Sequence, residues 1–185
     1  MKIYVTGLGV VSGIGLGVAE NIASLRKHQH GMGKVTLFPT ELDVPVSEVK
    51  YSNEELKRLL SLDIQKTFSR TALLGMLAAR EAVDDARLDL NTLRVGLISS
   101  TSVGGMDLSE HFYNAFKKDN RKGRLREVIS HDCGASTEMI ADYLKVNDFV
   151  TTISTACSSA ANAIMLGARM IRNGQLDAAI AVSYT

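Results

Sequence analysis

The chain has 185 residues, 45% of them hydrophobic and only 5% aromatic, which is enough to bury the core of one globular domain. Its formal net charge of +1 gives no electrostatic basis for binding nucleic acid or an anionic membrane surface. Two cysteines without metal-ligand spacing argue against a zinc site and for a reducing compartment. No apolar run is long enough for a membrane span or a signal core, so we expect a cytoplasmic protein.

Strand and helix signals alternate along the chain. The predicted strands cover residues 3–11, 94–99, 149–153 and 178–182. The predicted helices cover residues 18–27, 52–62, 67–86, 108–117, 136–144 and 158–172, the second opened by a Ser52/Glu55 capping box and the fifth capped by Ser136 or Thr137. This alternation predicts an α/β domain with a parallel or mixed sheet and helices on its faces.

Two motifs suggest functions that their spacing does not support. In Gly7-Leu-Gly-Val-Val-Ser-Gly13 the third glycine comes one residue too late for a dinucleotide-binding loop, so a strand-ending turn is the better interpretation. His28 and His30 form a pair in a polar loop, and two imidazoles are too few for a zinc site. We therefore predict neither a dinucleotide nor a metal site.

The segment from Asp148 to Gly174 carries the most chemical information. Strand formers are followed by small residues, and from Ser158 onward apolar residues recur at helical spacing. This pattern places Cys157 at a helix N-terminus among side chains small enough to let a substrate approach. Backbone N–H groups and the positive end of the helix dipole would stabilise an anionic sulfur and an oxyanion beside it. Cys157 is therefore our candidate nucleophile for covalent acyl chemistry.

The residues alone leave one alternative open. Many cysteines are small buried hydrophobes without reactivity, and placement near a helix dipole is common. A nucleophile at Ser158 or Ser159 would need a G-x-S-x-G elbow, which the chain lacks.

The literal string favours the catalytic interpretation. Thr155-Ala-Cys-Ser-Ser-Ala160 and the later Gly174-x-x-Asp177-x-Ala-Ile-Ala181 closely resemble the active-site region of the β-ketoacyl-(acyl carrier protein) synthases, the condensing enzymes of the thiolase-like superfamily. Further resemblances follow in the same order along the chain, at Val5-Thr-Gly-Leu-Gly-Val-Val-Ser12, at Phe68-Ser-Arg70 with its helix, and at Arg94 to Thr101 with Val103-Gly-Gly105. The resemblance implies the N-terminal α/β/α half of a thiolase-like fold, with a mixed five-stranded sheet.

The resemblance also implies a reaction. An acyl group on the phosphopantetheine of acyl carrier protein would move to Cys157, and decarboxylated malonyl-carrier protein would then be joined to it. In these synthases two histidines and a lysine stabilise the carbanion, and they come from the second half of the fold, to which no position here corresponds. We therefore expect the chain alone to be inactive in condensation and to bind no cofactor. The alternatives are a non-catalytic partner subunit of the chain-length-factor type and a non-decarboxylating acyltransferase or hydrolase.

Two features concern substrate and partners. In the resembled synthases the residue at the position of Val103 lies beside the acyl pocket, so we expect Val103 to contact substrate. The basic run from Lys117 to Arg126 is typical of a solvated loop, and its functional alternative is a docking patch for acidic acyl carrier protein. The resemblance implies a homodimer or heterodimer for the full-length protein.

The last residues depart from the family pattern. Where the synthases continue with a glycine pair and then Glu or Asp, this chain has Val182-Ser-Tyr-Thr185. We hypothesise that residues 1–185 are an N-terminal domain from a truncated gene model, with residues 182–185 non-native. An apolar face left uncovered would then favour self-association.

Overall fold

The computed structural model describes residues 1–184, and its centre is one parallel sheet between two helical layers. The strands are β1 (Val11–Ser12), β2 (Gly15–Leu16), β3 (Met32–Gly33), β4 (Val46–Ser47), β5 (Val95–Thr101), β6 (Phe149–Ile153) and β7 (Ala178–Tyr184). The helices are α1 (Val18–Arg26), α2 (Asn53–Leu59), α3 (Arg70–Ala86), α4 (Met106–Lys118), α5 (Leu125–Ile129), α6 (Cys133–Leu144) and α7 (Ser159–Arg172), with a 3₁₀ turn at Ala156–Ser158.

The main sheet has the strand order β6-β5-β7, and both pairings are parallel. All seven residues of β5 are buried, as expected for a strand covered on both faces. Leu97 belongs to the core formed with α3 and α6, whereas the neighbouring Ile98 points toward Gly167 of α7. Because successive side chains of a strand point to opposite faces, α3 and α6 cover one face and α7 covers the other. The expected α/β/α arrangement is confirmed.

The predicted five-stranded mixed sheet is wrong in its strand number and direction, because the main sheet formed by residues 1–184 has three strands, all parallel. Two further antiparallel pairs, β1 with β2 and β3 with β4, have only two residues per strand. The predicted strand over residues 3–11 is absent apart from Val11.

The physical reason is that the N-terminal segment lies along α3 instead. The backbone N–H groups of Leu8 and Val10 donate to the carboxylates of Asp85 and Glu81, at 3.0 and 2.9 Å. Gly9 lies so close to the Ala78 carbonyl of α3 that a Cβ could not fit. The segment therefore finds its hydrogen-bond acceptors on helix side chains and not on a neighbouring strand.

Most other predicted elements are confirmed, with shifted bounds. β6 has the predicted bounds, and the Ser52/Glu55 capping box is present. Helix α6 begins three residues before Ser136, because the Asp132 carboxylate accepts from the Gly134 N–H at 2.7 Å and caps the helix there. The predicted cap at Ser136 or Thr137 is wrong, and α5 was not predicted.

The C-terminal strand is longer than predicted. Val182, Ser183 and Tyr184 continue β7 and pair with Ser99, Ser100 and Thr101 of β5. Thr185, the last of the four residues that we hypothesise to be non-native, lies outside the described residues. Within residues 1–184, no helix is long and apolar enough to cross a membrane.

Candidate active site

The loops that follow β5 and β6 meet at the carboxyl edge of the sheet. After β5 the chain continues to the helical layer of α6, whereas after β6 it continues to α7 on the opposite face. In open α/β sheets, ligands bind where neighbouring connections diverge in this way. The two loops touch through the hydroxyls of Ser102 and Ser154, whose oxygens are 3.2 Å apart.

Cys157 lies on the loop that follows β6. It is the middle residue of the 3₁₀ turn at Ala156–Ser158, immediately before α7, and its thiol is free and exposed. The predicted location at a helix N-terminus is therefore confirmed. The alternative of a buried, inert cysteine does not fit this exposure.

The turn carries backbone strain next to Cys157. Ala156 has a φ of 51°, in the left-handed region that residues with a Cβ rarely adopt. Strained residues cluster at functional sites, where the surrounding structure holds them in place. The left-handed residue Ala156 is the first residue of the 3₁₀ turn that contains Cys157.

A set of hydroxyl hydrogen bonds holds this turn. Ser159 is completely buried, and its Oγ accepts from the Thr155 N–H at 2.8 Å and donates to the Ala156 carbonyl at 2.7 Å. Ser158 Oγ donates to the Thr155 carbonyl at 2.8 Å, and Asn162 Nδ2 donates to Thr155 Oγ1 at 2.9 Å. The side chains around Cys157 therefore bond to one another and leave its sulfur exposed.

Helix α7 begins without a side-chain cap. Its Ser158 N-cap makes no capping hydrogen bond, and its first turn contains no acidic residue. Small residues bring the helix close to the sheet, since a Cβ at Gly167 would lie 2.9 Å from the Ala179 Cβ. No carboxylate in the first turn therefore offsets the positive end of the α7 dipole beside Cys157.

Val103 lies at the same edge of the sheet, on the loop after β5. Its N–H donates to Thr101 Oγ1 at 3.1 Å, and it is 37% exposed. The structure therefore brings the Val103 loop to the Cys157 loop through Ser102 and Ser154, while the expected contact of Val103 with substrate stays a prediction. Gly104, with a φ of 58°, approaches the His131 carbonyl too closely to allow a Cβ.

The second cysteine differs from Cys157 in its surroundings. Cys133 is the first residue of α6 and is half-buried, and the neighbouring Asp132 carboxylate already caps that helix. A carboxylate at a helix N-terminus competes with any other anion there. Cys133 is therefore a poor candidate for the nucleophile.

Two of the four histidines, His111 and His131, have hydrogen-bond partners in α4 and α5. His111 Nδ1 is 3.2 Å from Glu127, and His131 Nδ1 is 2.9 Å from Ser109 Oγ, so both imidazoles link α4 to the α5 region. In residues 1–184 no three side chains of the His, Cys, Asp and Glu types come together as a metal site would require.

Charged side chains lie at the opposite edge of the sheet, where the strands begin, which we call the amino edge. The guanidinium of Arg94 binds both carboxylate oxygens of Asp177, at 3.0 and 2.7 Å, and also the Gly174 carbonyl at 2.8 Å. The hydrogen bonds from Arg94 lower the pKa of Asp177 to about 2. This part of the Gly174-to-Ala181 motif therefore joins the starts of β5 and β7 and does not contact Cys157.

Sequence reasoning missed the residues that shape the Cys157 turn. It identified Cys157 but assigned no role to Ala156, Ser159 or Asn162. The only available signal was the run of hydroxyl residues next to the cysteine, which favours caps and turns.

The same architecture occurs in solved condensing enzymes. The structure titled "The ishigamide ketosynthase/chain length factor" matches with a TM-score of 0.81 and 28% identity, over 92% of this chain and 44% of that one. A type II PKS acyl-carrier protein in complex with its ketosynthase, bound to the hexaketide, matches in fold with a TM-score of 0.73 and 22% identity, over 97% and 44%. The fold is thus that of the thiolase-like α/β class.

The sequence places the chain within this class. It belongs to the β-ketoacyl synthase N-terminal domain family, whose model matches residues 1–185. Among curated relatives, the 3-oxoacyl-[acyl-carrier-protein] synthase 2 of Staphylococcus aureus (strain MRSA252) is 27% identical over 189 aligned residues, which cover 97% of this chain and 44% of that protein. The chain therefore spans less than half the length of this relative.

Proposed function

We propose that this chain is the acyl-accepting part of a condensing enzyme of fatty acid or polyketide synthesis, with Cys157 as the nucleophile. The observation that carries the proposal is the exposed Cys157 thiol on a strained turn before the uncapped N-terminus of α7. Membership of the β-ketoacyl synthase N-terminal domain family supports the same role.

The proposed first step is a thioester exchange. The Cys157 thiolate attacks the carbonyl carbon of an acyl group carried on the phosphopantetheine of acyl carrier protein, a new S–C bond forms, and the carrier thiolate leaves and takes up a proton. A thiolate suits this step because it is a strong nucleophile and later a good leaving group. In this proposal the N-terminal N–H groups of α7 stabilise the oxyanion of the tetrahedral intermediate.

The proposed second step, the condensation, needs the two histidines and the lysine of the second half of the fold, and we assign none of these three to a residue of this chain. Loss of CO₂ from malonyl-carrier protein yields a carbanion equivalent, which forms a C–C bond to the acyl carbon and releases Cys157. We expect the chain alone to accept an acyl group without releasing CO₂. Release of CO₂ by residues 1–185 alone would contradict this division of the reaction.

The carrier-docking surface that we propose is the basic run from Lys117 to Arg126. Arg121 and Lys122 are paired with Asp119, at 3.4 and 3.9 Å, whereas the other basic side chains of the run make no ion pair within residues 1–184. Unpaired surface cations attract an acidic partner and raise its association rate. A second subunit, as in the ketosynthase/chain length factor structure, is a further proposed partner.

The test is acyl transfer followed by intact-mass measurement. With an acyl-loaded carrier protein, we expect the protein to gain one acyl mass on Cys157 and Cys157→Ala to gain none. Cys133→Ala is the matched control and should gain the same mass as the wild type. Transient acylation with release of free acid would indicate a hydrolase instead, and no acylation of a folded protein would indicate a non-catalytic partner subunit.

A further inference from the structure

A second cleft lies away from the Cys157 turn, between α5, α6 and the segment that leads into α3. Its volume is about 600 Å³, within the range of roughly 300–1,000 Å³ typical of small-molecule sites. No residue of the Cys157 turn lines it. A ligand in this cleft would therefore be distinct from an acyl group attached to Cys157.

The floor of this cleft is apolar. Leu62, Phe68, Met139 and Tyr143 all line it, and all four are partly buried against the hydrophobic core. Because these side chains are anchored in the core on one side, the floor is a fixed surface. Such a surface favours a flexible hydrocarbon chain, which gains by leaving water.

The rim of the cleft is charged. Lys66 and Arg126 line it from two different walls, and neither makes an ion pair within residues 1–184. Asp142 is the one carboxylate among the lining residues, so the lining has two cations and one anion. A guanidinium and an ammonium without partners can both bind carboxylate or phosphate oxygens.

We propose that this cleft binds a single-chain amphiphile with an anionic head, such as a medium-chain fatty-acid carboxylate. The alkyl chain lies on the floor formed by Leu62, Phe68, Met139 and Tyr143, and the head is bound by Lys66 and Arg126. The proposal goes beyond the proposed function, because it needs neither Cys157 nor acyl transfer, although Arg126 also belongs to the proposed carrier-docking run.

Calorimetric titration of the purified protein with hexanoate, octanoate and decanoate tests the apolar floor. We expect saturable binding, with a Kd that falls about two- to fourfold for each added methylene. Decanol tests the charged rim, and it should bind more weakly than decanoate. Decyl phosphate separates the two possible heads, since tighter binding than decanoate would identify a phosphate and not a carboxylate as the preferred anion. Decanol binding as tightly as decanoate, or no saturable binding, would overturn the proposal.

Variants of the charged lining residues should change the Kd in opposite directions, and misfolding would not produce such a pattern. Lys66→Gln and Arg126→Gln should each weaken decanoate binding about two- to fivefold, whereas Asp142→Asn should tighten it. Arg124→Gln, an exposed cation outside the cleft, is the matched control and should leave the Kd unchanged. Equal weakening by Arg124→Gln, or no effect of Asp142→Asn, would show that the cleft does not hold the anionic head. All of these titrations are repeated with Cys157→Ala, where binding should persist even if acyl transfer is never detected.

Discussion

The two edges of the β6-β5-β7 sheet are built from opposite kinds of side chain. At the amino edge, Arg94 is bound to Asp177, and the Val95 N–H donates to the Asp148 carboxylate at 2.8 Å. At the carboxyl edge, the contacts between β5, β6 and α7 come from uncharged hydroxyls, including those of Ser102 and Ser159.

This difference explains where the candidate site lies. At the amino edge, Arg94 is paired with Asp177 and Asp148 accepts from a backbone N–H, so these charged side chains hold the starts of the strands together. The hydroxyls of the carboxyl edge satisfy the backbone of the Cys157 turn and add no charge beside the sulfur. The α7 dipole therefore acts on Cys157 without a competing carboxylate in the turn.

The largest expected effect comes from removing the buried hydroxyl of the carboxyl edge. Ser159→Ala leaves the Thr155 N–H without its acceptor, so we expect a loss of about 2 kcal/mol in the free energy of unfolding, measured by urea denaturation. Ser158→Ala removes an exposed hydroxyl of the same turn and should cost no more than about 0.5 kcal/mol. Equal losses in the two variants would show that Ser159 does not hold the turn.

The strain at Ala156 gives the next largest effect. Ala156→Val places a β-branched side chain at a φ of 51°, and we expect it to cost about 1–2 kcal/mol in the free energy of unfolding and to slow alkylation of Cys157 by iodoacetamide. Ala156→Gly removes the steric penalty and should be neutral or slightly stabilising. If valine were tolerated as well as glycine, the turn would not be strained.

The Asp132 cap tests why Cys133 and Cys157 differ. Asp132→Ala removes the N-cap of α6 and should cost about 1 kcal/mol, whereas Asp132→Asn keeps an acceptor oxygen and should preserve stability. Both variants remove the negative charge next to Cys133, so both should speed its alkylation about two- to fivefold without changing that of Cys157. Mass spectrometry of each labelled cysteine measures the two rates separately. Faster labelling in Asp132→Ala alone would indicate local unfolding and not loss of charge.

The sequence predicted the elements whose signals are local. The β6 strand and the start of α7 were found because strand formers, small residues and helical spacing follow one another between Phe149 and Arg172. Cys157 was located for the same reason. The α6 cap was misplaced because Asp132 and Ser136 are both acceptable caps, and only the structure shows which one binds a backbone N–H.

The parts that could not be predicted depend on distant partners. Residues 3–11 have the composition of a strand, but the acceptors for Leu8 and Val10 are carboxylates more than seventy positions away on α3. The contact between Ser102 and Ser154 spans 52 positions. The burial of Ser159 also depends on how α7 packs on the sheet, which a serine in a sequence does not reveal.

The smallest effect is expected at the amino edge, and it depends on pH. The folded-state pKa of Asp177 is about 2, below the usual value of about 3.9, because Arg94 donates hydrogen bonds to its carboxylate. A lowered folded pKa means that the pair stabilises the fold above the unfolded pKa and that this contribution is lost as the pH falls from about 4 toward 2. The Tm of the wild type should therefore exceed that of Asp177→Asn by a small constant margin near neutral pH, and the margin should disappear near pH 2.

Glu110→Gln, an exposed carboxylate without an ion pair among residues 1–184, is the control and should show no such margin. A margin for Asp177→Asn that persists unchanged at the lowest pH would mean that the Arg94 pair does not depend on the charge of Asp177, and that the two edges of the sheet differ less in electrostatics than their side chains imply.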